Sequence, residues 1–171
     1  PESLGERVAE ASARLNDFLE EAVATVRERF LGKITYACIP FERVDWTLFD
    51  IMSVELIRSA EVADRFQEGV RALVAQGKPL AITGFGTATW RGAGELAPRS
   101  MEIVEHDEIG RPVRLNGEYD RDEAGQAEYL RELLEIFDAE GVDAAFVYLF
   151  ALSNYPHRPD APRRDLDLAS L

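Results

Sequence analysis

Apolar residues recur at steps of three and four along the first part of the chain, from Leu4 to Phe30. This spacing places them on one stripe of a helix, with Glu and Arg side chains on the opposite side. Gly32 follows, and glycine is the residue that most often ends a helix. The pattern therefore predicts a long amphipathic helix at the start of the chain.

Two later segments have the same helical spacing. The first covers residues 60–76 and is followed by Gly77 as its stop. The second opens at Asp120, with Glu123 three positions later, as in an N-terminal capping box, and stops at Gly141. Three long amphipathic helices are therefore expected.

Short runs of apolar and β-branched residues separate these helices at residues 33–39, 51–57, 79–83 and 144–150. Nearly continuous apolar runs are typical of strands that are covered on both faces. Strands that alternate with helices favour a parallel sheet with right-handed crossovers. Prolines recur after residue 150 and predict an extended tail.

The least regular stretch runs from residue 84 to residue 117 and follows the third strand. It contains a glycine-rich loop and a hairpin in which residues 101–105 are expected to pair with residues 113–115. An insertion of this length is unusual between a strand and a helix, which indicates a functional loop or a lid.

Two closures of the parallel sheet fit this pattern. One is a doubly wound open sheet, and the other is half of a (β/α)8 barrel, which needs roughly 250 residues when complete. The chain begins without Met and ends at Leu171 without a polar tail, which favours a single half-barrel domain over residues 1–171, belonging to a longer chain.

The net charge indicates which partners the protein can bind, and the cysteine content indicates its cellular compartment. The formal net charge is −13, and a field of that sign repels nucleic acid and anionic lipid surfaces. Cys38 is the single cysteine and lies within an apolar run, as expected for a small core residue in a reducing compartment. With no apolar run of membrane-spanning length and no signal peptide in the sequence, a cytoplasmic protein is predicted.

Several motifs spread over most of the chain resemble those of bacterial glycosidase-like TIM-barrel proteins that are often labelled abortive-infection proteins. The motifs that carry the resemblance are ERVDW at 42–46, VELIR at 54–58, ITGFGT at 82–87 with WRGA at 90–93, YDRDE at 119–123 with QA at 126–127, and RRDLD at 163–167.

The resemblance implies the C-terminal half of a TIM barrel, whose strands are the fifth to the eighth, with a site at the carboxyl ends of the strands. Retaining glycosidases of this architecture carry an acid/base carboxylate at the fourth strand and a nucleophilic carboxylate at the seventh, about 5 Å apart. The seventh-strand position is occupied by Gly84 in this sequence, so the expected nucleophile is replaced. The sequence therefore leaves open whether the protein is an enzyme that hydrolyses glycosides.

Glu55 is the candidate catalytic carboxylate, because it interrupts an otherwise apolar strand. Two simpler roles stay open: Glu55 and Arg58 neutralise each other, and Trp90 packs on the barrel rim as a lid. The candidate substrate-binding residues are Tyr36, Arg58, Gly84, Trp90, Arg91 and Tyr148.

No metal site and no cofactor are predicted. His106 and His157 stand alone in loops, and Asp165 with Asp167 lacks a third ligand nearby, so local salt bridges are favoured for this pair.

The sequence leads to two functional hypotheses. One is a glycoside-hydrolase-like barrel segment that acts on or binds carbohydrate. The other is a non-catalytic carbohydrate-binding or interaction protein linked to phage defence. In either case the two open edges of a half-barrel sheet predict self-association or pairing with the missing half.

Overall fold

The computed structural model describes residues 4–148, 152, 155 and 165–170. The predicted end of the last strand at residue 150 and most of the proline-containing tail lie outside these residues. The helices are α1 (Leu4–Arg27), α2 (Phe66–Val74), α3 (Ala93–Leu96) and α4 (Glu123–Glu140), and the strands are β1 (Ala37–Cys38), β2 (Met52–Glu55), β3 (Leu80–Phe85), β4 (Val104–His106), β5 (Pro112–Leu115) and β6 (Ala144–Val147).

Four strands form one parallel sheet in the order β1-β2-β3-β6. α1 precedes β1, α2 lies between β2 and β3, and α4 lies between β3 and β6, so the predicted α/β order is confirmed. β4 and β5 form a separate antiparallel hairpin between β3 and α4. The hairpin insertion after the third strand is thus also confirmed, although its strands are displaced by a few residues from the predicted ones.

A bulge in β3 changes the pairing at the carboxyl end of the sheet. Val54 and Glu55 of β2 face Ile82 and Gly84, so Thr83 is an extra residue in β3. On the other side of β3, the pairing also skips residues between Ile82 and Phe85. Such bulges redirect side chains and are frequent beside functional sites.

The main core lies between the sheet and the helices α2 and α4. On the sheet side, Ile82 and Phe85 are fully buried, and Phe85 meets Phe137 of α4 edge to face at 5.1 Å between ring centroids. Cys38 is 4% exposed within the same core, which confirms it as a core residue. Burial of these apolar surfaces, at about 25 cal/mol per Å², holds the helices on this face of the sheet.

The opposite face of the sheet is less covered by the part of the chain described. Ala145 packs against the helix-side core, and since side chains alternate along a strand, Phe146 projects from the other face. Phe146 is 57% exposed and Tyr148 is 52% exposed. On α1, the predicted apolar stripe also stays partly open, with Phe18 65% exposed.

Two predicted elements differ from those observed, for identifiable reasons. The strand predicted at residues 33–39 is reduced to Ala37–Cys38, because β1 is at the edge of the sheet and pairs only with β2. The helix predicted from residue 60 begins as a 3-10 helix over Ala60–Arg65 before α2, the tighter turn that often precedes an α-helix.

The start of α4 is a correction. Asp122, not Asp120, is the N-cap, and its side chain accepts a hydrogen bond from Gly125 N at 3.0 Å. The Asp120 carbonyl accepts a hydrogen bond from Arg91 N, and Arg121 pairs with Trp90 in an isolated bridge, so the backbone at 120–121 is still committed to the preceding loop. The stop at Gly141 is confirmed, with φ of +81°. No helix in the described ranges is long and apolar enough to cross a membrane.

Candidate functional site

Glu55, Gly84 and Tyr148 meet at the carboxyl ends of three neighbouring strands. Glu55 is the last residue of β2 and pairs in register with Gly84 of β3. A Cβ atom on Gly84 would be 3.0 Å from Glu55 Cγ and 3.4 Å from Glu55 Cδ. The same position would be 3.4 Å from Tyr148 Cβ. The Glu55 side chain therefore lies over the Gly84 backbone, with Tyr148 on its far side.

The Glu55 carboxylate has no hydrogen-bond or ion-pair partner among residues 4–148, 152, 155 and 165–170. Arg58, the cation considered as its neutralising partner, instead donates to Glu132 Oε2 at 2.6 Å and lies over the Tyr129 ring at 5.1 Å from its centroid. The alternative in which Glu55 and Arg58 neutralise each other is therefore wrong. Because Glu55 is only partly buried and its carboxylate has no partner in this part of the chain, the carboxylate is available to a ligand, which makes this position a candidate binding group.

Polar side chains continue along the sheet below Glu55. Ser53, two residues before Glu55 and therefore on the same face of β2, accepts a hydrogen bond from Thr35 Oγ1 at 2.7 Å. The hydroxyl of Thr83, the extra residue of the bulge, is buried without a hydrogen-bond partner in the structure described. The paired hydroxyl groups of Thr35 and Ser53 therefore make the sheet polar below Glu55, although Ser53 itself is buried.

A second concave region lies on the helix side of the same end of the sheet. This cavity of about 350 Å³ is lined by residues of the loops after β2 and β3 and by the first turns of α4. Arg58, Trp90 and Glu132 line it, whereas Glu55, Gly84 and Tyr148 do not. The sequence-predicted residues are therefore divided between two places.

Trp90 is held by the loop that follows β3. Its Nε1 donates to the Ser100 carbonyl at 2.8 Å, and its ring lies 5.1 Å from the Tyr119 ring. These contacts match the packing role considered for Trp90. Since the ring also lines the cavity, substrate binding by Trp90 stays a prediction.

Arg91 and Tyr36 lie apart from Glu55. The Arg91 side chain is 70% exposed and is 3.8 Å from the similarly exposed Asp120. The Tyr36 hydroxyl donates to Glu42 Oε1 at 3.0 Å, and burial together with the neighbouring Glu42 raises the pKa of Tyr36. Their roles as substrate-binding residues also stay predictions.

Within the described ranges, no group of three or more His, Cys, Asp or Glu side chains is arranged to hold a metal ion. His106 Nε2 lies 2.8 Å from the Tyr155 hydroxyl. Arg121 forms ion pairs with Asp165 at 3.7 Å and Asp167 at 2.8 Å, in line with the salt bridges favoured for this pair. His157 lies outside the described residues.

The sequence analysis missed Phe146 as a member of this face and missed the bulge at Thr83 beside it. Phe146 and Tyr148 are two residues apart in a strand, so their shared face is detectable from alternation once β6 is known to have one uncovered side. The bulge at Thr83 had no signal in the apolar pattern, because it depends on how β2 and β6 pair with β3.

Neither a protein-family model nor a curated protein sequence matches this chain. Solved structures do resemble it. Two structures of GH113 β-1,4-mannanase superpose with TM-scores of 0.60 and 0.59 at 21% and 20% identity, covering 78% of this chain and 40% of theirs. The GH113 β-mannanase AaManA from Alicyclobacillus acidocaldarius gives a TM-score of 0.55 at 20% identity, over 75% of this chain and 38% of that one.

These similarities show the fold and no more, because all three identities are below a quarter. They support the barrel fold that the sequence resemblance implies. The chain spans about 40% of the length of the mannanases it matches. It therefore has the α/β architecture of part of a (β/α)8 barrel.

Proposed function

We propose that the face formed by Glu55, Gly84 and Tyr148 belongs to a carbohydrate-binding site of a glycoside-hydrolase-like barrel. The single observation that carries this proposal is the unpartnered Glu55 carboxylate beside an exposed aromatic residue at the carboxyl ends of parallel strands. Ligand sites of barrels of this kind are built at that end of the sheet.

The two kinds of side chain complement the two kinds of surface on a sugar ring. A carboxylate accepts hydrogen bonds from hydroxyl groups and holds them strongly, because the acceptor is charged. The rings of Phe146 and Tyr148, which are 57% and 52% exposed, offer flat apolar surface to the C–H face of a sugar. Sites for small ligands generally combine apolar lining with a few such polar anchors.

Glycoside hydrolysis requires more than this face supplies. Both the retaining and the inverting mechanisms use a pair of carboxyl groups across the scissile bond, and Glu55 is the candidate for one of them. Because Gly84 stands where the resemblance implies a nucleophile, binding without hydrolysis is the second candidate function. Its link to phage defence and a cytoplasmic location are predictions from the sequence alone.

We also propose that the open edges and faces of the sheet are covered by a further part of the barrel or by a second copy of this chain. β1 and β6 are the two outer strands of the sheet, and exposed strand edges favour pairing with another strand. Residues 1–171 expressed alone are expected to sediment as a dimer or larger species. A compact monomer whose β1 and β6 amides exchange slowly would contradict this proposal.

The carbohydrate proposal is tested with the full-length protein by calorimetry and by hydrolysis of aryl glycosides. The ligands are β-1,4-linked manno-oligosaccharides, chosen from the names of the similar structures, and a panel of other oligosaccharides. Glu55→Gln should weaken binding roughly tenfold to a hundredfold, the usual range for loss of a charged hydrogen bond.

Glu95→Gln is the matched control, since Glu95 is exposed and lines the helix-side cavity instead. It should bind as the unaltered protein does. If no sugar binds and no aryl glycoside is cleaved, the carbohydrate function is excluded. If Glu95→Gln weakens binding and Glu55→Gln does not, the site is the cavity and not the Glu55 face.

A further inference from the structure

We infer that Gly84 is a positioning residue. Because it has no side chain, it leaves open a space at the carboxyl end of the sheet, and one carboxylate occupies this space. Glu55 of β2 fills this space. A carboxylate carried by β3 at position 84 would need the same space, so the site accommodates one from either strand but not from both. This inference rests on the proposed function for its ligand, while its steric part stands on the contacts alone.

The space is bounded on both sides of β3. A Cβ atom on Gly84 would approach Glu55 Cγ to 3.0 Å, which is closer than ordinary van der Waals contact. On the other side, the same Cβ atom would be 3.4 Å from Tyr148 Cβ, a van der Waals contact that leaves it little room to move away from Glu55. Even a methyl group at position 84 therefore displaces the Glu55 side chain.

The backbone cannot relieve this contact, because the strands are tied together next to it. Leu56 N donates to the Gly84 carbonyl at 2.9 Å, and Tyr148 N donates to the Phe85 carbonyl at 3.1 Å. These hydrogen bonds fix β2 and β6 against β3. The displacement must be taken up by the Glu55 side chain, which is the flexible partner.

Backbone conformation does not explain a glycine at this position. The glycines with positive φ are Gly77, Gly86, Gly92, Gly110 and Gly141, and Gly84 is not one of them. The φ of Gly84 is therefore outside the left-handed region that favours glycine. The missing side chain is thus needed for space, and the space is filled by a carboxylate.

Two glutamates at positions 55 and 84 would also place two like charges in one partly buried space, and such pairs do not both ionise readily. In this chain β2 supplies the carboxylate, and the absence of a side chain at Gly84 of β3 leaves its space open.

The test is a reciprocal exchange in the full-length protein, read by calorimetric affinity for the sugar that the unaltered protein binds. Gly84→Ala should lower affinity about tenfold by displacing Glu55, and Glu55→Gly should lower it at least as much. The Glu55→Gly, Gly84→Glu double variant should recover most of that loss. If both residues had a purely structural role, the losses of affinity from the two changes would add. Recovery of affinity in the double variant therefore distinguishes the positioning of a carboxylate from general damage to the fold.

Thermal unfolding of Gly84→Ala, alone and combined with Glu55→Gly, gives a readout that needs no ligand. Gly84→Ala should lower Tm when Glu55 is present and should have little effect in the Glu55→Gly background, where the space is empty. An equal loss of Tm in both backgrounds would overturn the steric part of the inference. A sugar affinity that Gly84→Ala leaves unchanged would overturn the positioning role. If the unaltered protein binds no sugar, the proposed function is refuted, and the ligand part of this inference is refuted with it. The comparison of thermal unfolding still decides the steric part.

Discussion

Arg58 Nη2 donates to Glu132 Oε2 at 2.6 Å, joining the loop after β2 to a residue of α4 that is 74 positions away in the chain. The same guanidinium lies over the Tyr129 ring, whose hydroxyl donates to the Arg58 carbonyl at 2.7 Å. Arg58 is thereby held on the helix side of the sheet. Glu55, only three residues earlier, is left free for a ligand on the other side.

Arg58→Ala should lower stability by about 1–3 kcal/mol, because it removes a charged hydrogen bond and a cation over an aromatic ring. It should leave sugar affinity at the Glu55 face unchanged. Denaturant unfolding and calorimetry measure the two effects separately. Arg91→Ala is the control for stability, since its exposed pairing with Asp120 at 3.8 Å contributes little. A loss of affinity at unchanged stability would show that Arg58 contacts the ligand.

Asp122→Ala should destabilise the protein by about 1 kcal/mol, the usual effect of removing an N-cap side chain. The side chain accepts the Gly125 N–H at 3.0 Å and so satisfies one of the free amides at the start of α4. Asp120→Ala is the matched change and should have almost no effect, because the Asp120 side chain is 83% exposed. Urea unfolding of both variants checks this, and the reverse order would restore Asp120 as the cap.

Gly69→Ala and Gly141→Ala should change stability in opposite directions. Gly69 lies within α2, and no atom lies within 4 Å of the position that an alanine methyl group would take there, so alanine should stabilise by about 0.5–1 kcal/mol. Gly141 ends α4 with φ of +81°, which strains any L-residue, and alanine there should destabilise by about 1 kcal/mol. Midpoints of denaturant unfolding give both signs, and a shared sign would contradict the assigned backbone geometry.

Cys38 should be unreactive in the folded protein. Burial, and then the nearby Glu42 charge, raise the pKa of its thiol to about 11, so the nucleophilic thiolate is scarce near neutral pH. Ellman's reagent at about pH 8 should label one thiol per chain only after denaturant is added, since an unfolded thiol titrates at about 8.5. Rapid labelling without denaturant would mean that β1 opens readily.

Glu140 should make stability depend on pH in the acid range. Hydrogen bonds from Arg71 and then Gln67 lower the pKa of Glu140 below its ordinary value of 4.5. Because the folded state binds this proton less readily than the unfolded state, the contribution is fully present above 4.5 and is lost as pH falls through the folded pKa.

Glu140→Gln should therefore lower Tm near neutral pH, and the difference from the unaltered protein should shrink in acid. Glu135→Gln is the control, since Glu135 is exposed and pairs with Arg131 within one helix. Thermal scans across the acid range measure both. A Tm difference for Glu140→Gln that is independent of pH would show that the bridge from α4 to α2 does not depend on the charge.

Local patterns of the sequence were sufficient for the order and type of the main elements. The apolar spacing predicted α1 and α4, and the glycine stop at Gly141 was correct, because helix periodicity and a left-handed C-terminal residue are properties of neighbouring positions. The alternation of helices and strands also predicted the parallel sheet. Glu55 was identified as unusual because a carboxylate within an apolar run is conspicuous in the sequence itself.

Only the tertiary structure decided which groups meet. The bulge at Thr83 brings Gly84 opposite Glu55, and it arises from pairing among β2, β3 and β6, whose residues are far apart in the chain. The partner of Arg58 likewise lies on another element. The sequence by itself determined the alternating elements and the presence of an isolated carboxylate, because these depend on local chemistry. The space that this carboxylate occupies was decided by strand register, because register depends on contacts between distant segments.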